Sequence, residues 1–147
     1  MSGKKTSVDG AQGGDHVSRT QVIELDADPD APSRGRRAVI EVLDNWGCDA
    51  EVRGDLVLVV SELVTNAVLH GAEPIVVTMV LAPERVRVEV TDGAAGASPH
   101  SSRRPAANAE TGRGLSVVTR LAVAWGWRAS PGSGKTVWAE LPIKKAS

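Results

Sequence analysis

Hydrophobic positions recur along this chain with two different periods, and each change of period marks an element. Residues 20–25 (TQVIEL) read as a first short strand, closed by a polar break over residues 26–30. Asp30 or Ser33 can cap a helix that runs to about Trp46. Val39, Leu43 and Trp46 recur there at helical spacing, and Gly47 stops it. A second helix is expected from about Ala50 to Leu69. Leu56, Val60, Leu63 and Ala67 form its buried stripe, and Gly71 is its natural end. Two strands follow. Residues 75–81 are apolar apart from Thr78, and residues 85–92 (RVRVEVTD) alternate strictly, with Ala82, Pro83 and Glu84 between them. The pattern then breaks over residues 93–113, a stretch of small, polar and basic residues with Pro99 and Pro105. A loop of that length within one domain is usually functional or disordered. Residues 114–122 read as a third helix with Leu115, Val118 and Leu121 on one face. Residues 123–129 and 135–141 read as a last hairpin across Pro131-Gly132-Ser133-Gly134.

Helices grouped with a mostly antiparallel sheet predict an α+β fold, a two-layer sandwich with about three helices on one face of a mixed sheet. The chain's 147 residues suit one domain, here residues 19–147. Residues 1–18, rich in Gly, Ser and charge, are expected to be a flexible tail. They contain no apolar run after their lysines, so no signal peptide is expected, and no apolar run approaches the length of a membrane span.

Composition narrows the picture further. There are four Trp but no Phe or Tyr, so the core must be built from Val, Leu, Ile and Ala. A formal net charge of −1 draws the chain neither to nucleic acid nor to an anionic membrane. The single Cys48 has no partner within the chain, which suits a reducing cytoplasm. No Cys/His grouping suggests a structural zinc site.

Four short segments carry candidate chemistry. In SELVTNAVLHG, Glu62 and Asn66 are four residues apart and so share one helical face, offset from the buried stripe. An acid and an amide there can hold Mg²⁺, or the acid can take a proton from a hydroxyl. The pair is equally compatible with an ordinary polar face. Asp92 shares strand parity with Val86, Val88 and Val90, which points it to the core. A buried carboxylate needs a partner, such as an adenine amino group, unless Asp92 simply caps the turn that follows. Thr111-Gly112-Arg113-Gly114-Leu115 precedes a helix. Its glycines let the backbone approach phosphate oxygens, with Arg103, Arg104 and Arg113 adding positive charge, although two loop glycines also make an ordinary turn. Thr136, in GKTVW on the last strand, can place a hydroxyl in the pocket of Asp92 or be a plain β-branched strand residue. The chain has no GxxxxGK[ST] loop, and no strand runs directly into the glycines, which disfavours both a P-loop and a dinucleotide-binding unit.

Taken in order, the four segments resemble the N, G1, G2 and G3 boxes of the GHKL ATPases, the superfamily of gyrase, histidine kinases and mismatch-repair ATPases. ELVTNAVLHG, GRGL and WGW…GKTVWAEL carry the likeness, which spans roughly residues 19–143. Within that superfamily the chain is similar to the serine-kinase anti-sigma factors, especially the short actinobacterial ATP-binding regulators. The resemblance implies a Bergerat fold with ATP and Mg²⁺ as cofactors. Asn66 matches the metal-ligating asparagine and Glu62 the acid that acts as general base. Asp92 matches the aspartate that bonds the adenine amino group, and Thr136 the threonine that assists through a water. Gly112 and Gly114, with Arg113 and Leu115 about them, match the lid segment that reaches the phosphates. His70 fits the end of the N box but is assigned no chemistry. One departure stands out. The family places glycines two and four residues after the aspartate, whereas Gly93 and Gly96 lie one and four residues after Asp92, with Ala94 between.

The resemblance further implies a cytoplasmic protein-serine/threonine kinase. It would phosphorylate a serine of a STAS-type anti-sigma-factor antagonist and sequester a sigma factor in a partner switch, working as a homodimer and touching neither nucleic acid nor membrane. The alternative is an ATP-binding regulatory module that holds a protein partner without phosphoryl transfer.

Overall fold

The structure, a computed structural model, describes residues 4–9, 19–70, 73–93, 116–129 and 134–143. Its strands are β1 (Lys4–Asp9), β2 (Arg19–Leu25), β3 (Ile75–Leu81), β4 (Arg85–Asp92), β5 (Ala124–Ala129) and β6 (Lys135–Pro142). Its helices are α1 (Ala31–Asn45), α2 (Ala50–His70) and a short α3 over residues 116–121. The strands form one sheet in the order β1-β2-β3-β4-β6-β5. Among the described residues every pairing is antiparallel, which takes the expected mostly antiparallel sheet to its limit. The helices pack on one face, giving the two-layer α+β sandwich that the sequence predicts.

Strict alternation explains how this sheet makes a core. Val86, Val88 and Val90 of β4 are buried, and β6 sets Leu141, Ala139 and Val137 opposite them on the same face. Ile23, Leu25, Ile75, Val77 and Met79 extend that apolar face across β2 and β3. Against it lies α2, whose predicted stripe of Leu56, Val60, Leu63 and Ala67 is buried throughout. Val52, Val59 and Val64 are buried as well, because α2 lies against both the sheet and α1. A helix covered on two sides needs an apolar surface wider than one stripe. Val118 of α3 also joins this core.

The helix ends follow local chemistry. Asp30 is the N-cap of α1 with Pro32 in its first turn, although the Asp30 side chain makes no capping bond. The anchor is Asp28 instead, whose carboxylate accepts from the Asp30 backbone N–H at 2.9 Å and from Arg34 Nη2 at 2.8 Å. At the other end Gly47 takes φ 76°, a conformation that costs any residue with a Cβ, and Cys48 N–H donates to the Leu43 carbonyl at 3.0 Å. Asp49 Oδ1 accepts from Val52 N–H at 3.0 Å and so starts α2.

One expectation needs correction. Residues 1–18 were expected to form a flexible tail, yet Lys4–Asp9 is an edge strand paired with β2 from Lys4↔Glu24 to Asp9↔Arg19. The physical reason is that an edge strand can be held by backbone hydrogen bonds alone, so it needs no apolar signature. Residues 1–3 and 10–18 lie outside the described residues. On the sheet face away from the helices, charged side chains pair with one another. Arg85 and Arg87 pair with Glu140 at 2.7 and 2.8 Å, Arg87 with Glu89 at 2.7 Å, and Arg128 with Glu89 at 3.3 Å. Arg87 also lies over the Trp138 ring, 4.2 Å from its centroid.

Candidate functional site

Five chain segments converge at one end of the sandwich. β2 ends at Leu25 opposite the start of β3 at Ile75, β3 sets Val76 opposite Thr91, and β4 ends at Asp92 opposite Lys135, where β6 begins. The link from α2 into β3 lies at the same end. There Glu73 Oε2 accepts from Ala27 N–H at 2.9 Å and ties the entry to α1 to the exit from α2.

Gly93 brings the strand end and this link together. A Cβ built on Gly93 would stand 2.5 Å from the Glu73 carbonyl oxygen and 2.8 Å from Pro74 Cδ. Only glycine permits so close an approach of backbone to backbone. This glycine of the expected G1 box therefore has a packing role: it lets the end of β4 close against the chain leaving α2. Asn66 sits one turn before the end of that helix and Glu62 one turn earlier, and both are half-buried. At i and i+4 they share a face, with Cβ atoms roughly 5–6 Å apart. The helix is held in place by Arg36 of α1, whose Nη1 donates to Ser61 Oγ at 3.0 Å.

Asp92 is 2% exposed, so its carboxylate is inside the protein as its strand parity predicts. The turn that follows it lies outside the described residues from residue 94 on. Lys135 Nζ donates to Asp92 Oδ2 at 2.9 Å, the two residues lying directly opposite each other across the β4–β6 ladder. A buried carboxylate with a cation beside it is a built feature, because charge removed from water must be paired.

Thr136 is placed differently from the expectation. It lies opposite Thr91, and the two hydroxyls are hydrogen-bonded at 2.7 Å. Thr91 and Asp92 are consecutive strand residues and point to opposite faces. Thr136 is therefore buried on the face away from α2, opposite to that of Asp92. The residue that shares a face with Asp92 is Lys135. Counting back by twos from Leu141 through Ala139 and Val137 reaches Lys135, so strand parity held the signal that the reading of Thr136 overlooked. Gly96, Gly112, Arg113, Gly114 and Leu115 lie outside the described residues, as do Arg103 and Arg104.

The groups present suit a nucleotide. Asp92 offers an acceptor, and Lys135 a donor, at the end of a sheet face of buried valines, which suits a flat heterocycle with polar edges. Glu62 and Asn66 offer oxygen atoms to a hard cation. Among the described residues no group of three or more His, Cys, Asp or Glu could hold a metal ion. A Mg²⁺ ion bound together with phosphates needs only one or two protein oxygens, so this pair is sufficient for it. Elsewhere, burial and then the charge of Asp49 push the Cys48 thiol above its ordinary pKa, which disfavours the reactive thiolate. No helix among the described residues is long and apolar enough to cross a membrane.

Comparison with known proteins agrees with this geometry. No match is found among the curated proteins. The family described as the histidine kinase-like ATPase domain matches residues 25–141, a span from the end of β2 to the penultimate residue of β6 that takes in α2, Asp92 and Lys135. A buried Asp92 at the strand end, beside a helix bearing Glu62 and Asn66, is thus found in a chain that belongs to the histidine kinase-like ATPase domain family and so to the GHKL-type ATP-binding proteins.

Proposed function

We propose that this chain is a Mg-ATP-dependent protein-serine/threonine kinase of the anti-sigma type, which modifies a serine on a STAS-type antagonist and holds a sigma factor when that antagonist is absent. One observation carries the reading. The buried Asp92 carboxylate lies at the end of the sandwich where α2, which bears Glu62 and Asn66, ends, and Gly93 packs there against Glu73–Pro74 of the chain that leaves this helix. Further support comes from family membership and from the likeness of ELVTNAVLHG and GKTVWAEL to the anti-sigma kinases.

Each residue then has a distinct task. Asp92 accepts a hydrogen bond from the adenine amino group in a site closed to water, where an unmatched base leaves a buried charge without its partner. Asn66 provides an oxygen to Mg²⁺, and Glu62 accepts the proton of the serine hydroxyl. Bound Mg-ATP supplies the phosphoryl group, and catalysis by the protein is mainly positioning and charge stabilisation. A phosphoserine adds roughly −1.5 to −2 charges to the antagonist, which expels it by repulsion and frees the chain to take the sigma factor.

A ligand that binds only the native state must stabilise it. At a hundredfold excess over Kd the gain is about 2.7 kcal/mol. For a domain near 150 residues this raises Tm by roughly 5–10 °C. Mg-ATP is expected to shift wild type in this range and Asp92→Asn hardly at all. Radiolabelled ATP with candidate antagonists tests the second half: label on a serine is expected with wild type and lost with Glu62→Ala. A thermal shift without label on any antagonist supports the non-catalytic binding module instead, and no shift with wild type refutes ATP binding.

A further inference from the structure

Lys135 is the charged neighbour of Asp92 to which the proposed function gives no task. Its side chain is 13% exposed and that of Asp92 3%, and they are joined at 2.9 Å. Every other pair on this face of the β4–β6 ladder is apolar: Val90 with Val137, Val88 with Ala139, Val86 with Leu141. A buried ion pair seldom stabilises a fold more than an apolar pair of similar size, because both charges lose their hydration. Lys135 offsets the buried charge of Asp92, but stability gives no reason for placing the pair as a whole on an apolar face. An ammonium carries three N–H donors and Asp92 Oδ2 takes only one, so the side chain has donors to direct at a third group.

Together the two side chains set an acceptor beside a donor at the end of the apolar face of the β4–β6 ladder. The Watson–Crick edge of adenine has the complementary order, with the 6-amino donor next to the N1 acceptor. We propose that Lys135 is a base-contacting, specificity-determining residue that donates a hydrogen bond to adenine N1 while Asp92 accepts from the 6-amino group. The assignment rests on the ATP-binding reading above. Thr136 is unable to take this role, since its hydroxyl is on the opposite face and bonded to Thr91. Guanine reverses both positions. Its 6-carbonyl would meet the Asp92 carboxylate and its N1–H would meet the ammonium, so the same pair that favours adenine rejects guanine.

The test is equilibrium binding of the full chain to Mg-ATP and to Mg-1-deaza-ATP, which keeps the 6-amino group but has carbon in place of N1. A hydrogen bond to a charged group is lost, so wild type is expected to bind the deaza analogue about 10- to 100-fold more weakly. Lys135→Met is expected to bind both nucleotides alike, at about the weaker affinity, and Lys135→Arg to regain part of the preference. Equal binding of the two nucleotides by wild type overturns the proposal, as does an undiminished preference in Lys135→Met. Should Lys135→Met fail to fold, the wild-type comparison decides alone. A wild type that binds ATP but ignores N1 removes only the role of Lys135, whereas one that binds neither nucleotide removes the ATP site itself.

Discussion

Replacing Gly93 with alanine puts a methyl group where the chain between α2 and β3 already runs. The added carbon would stand 2.5 Å from the Glu73 carbonyl oxygen, 2.8 Å from Pro74 Cδ and 3.0 Å from the Glu73 carbonyl carbon. A relaxed carbon–oxygen contact is about 3.3–3.6 Å, so the two segments must part by roughly 0.8–1.1 Å. None of these atoms is the tip of a flexible side chain. Strand pairing also resists the shift, because Val76 and Thr91, two residues inward on each strand, are locked opposite each other. Overpacking of this kind costs about 1–3 kcal/mol. With a urea slope of about 1–3 kcal/mol per molar, the unfolding midpoint should fall by roughly 1 M. Because Asp92 adjoins Gly93, Mg-ATP should also stabilise the variant less than it stabilises wild type. Gly54→Ala provides a control of opposite sign. A Cβ there meets nothing within 4 Å, on an exposed turn of α2, so the change should stabilise by about 0.5–1 kcal/mol. A Gly93→Ala protein that unfolds at the wild-type urea midpoint would refute the close-approach account of this glycine.

Two further predictions concern the sheet face away from the helices. A Cβ on Gly126 would stand 3.0–3.2 Å from Cζ2, Cε2 and Nε1 of the Trp138 ring. Gly126→Ala should push that ring off Arg87 and cost about 1–3 kcal/mol in urea unfolding, so an unchanged midpoint contradicts the packing described. For Glu140, partial burial raises the pKa, but hydrogen bonds from Arg85 and Arg87 outweigh it and hold the carboxyl below its ordinary 4.5. A depressed folded pKa means the carboxylate stabilises the fold above 4.5, and that this contribution disappears as pH falls through the lower folded value. Thermal melts from pH 7 to pH 3 should show Glu140→Gln less stable than wild type near neutrality and level with it in acid. The gap should be modest and shrink in high salt, since these groups are partly solvated. A gap that is independent of pH would mean that the charge of Glu140 is not what matters.

Much of the fold was legible because burial imposes a period on each element. The stripe of Leu56, Val60, Leu63 and Ala67 announced α2, and the alternation of RVRVEVTD announced both β4 and the inward turn of Asp92. Gly47 could be read as a helix stop because its left-handed conformation is a local requirement. The strand Lys4–Asp9 was not legible. It has no apolar alternation, and what holds it is the unpaired backbone edge of β2, which no residue pattern within KKTSVD reveals.

The candidate site divides along the same line. Sequence by itself determined that Glu62 and Asn66 share a helix face, that Asp92 points inward, and that a histidine kinase-like ATPase domain was the expected family. The first two follow from local geometry, in which side-chain direction depends only on position along one element, and the family from the likeness of its motifs. What the tertiary structure alone decided was which elements meet. The β4–β6 register sets Lys135, and not Thr136, beside Asp92, and a one-residue difference in register reverses every such pairing. The tight contact of Gly93 with Glu73–Pro74 likewise joins the strand end to the chain that leaves α2. Both are relations between residues far apart in the chain, and only the packing of the core sets the distance between them.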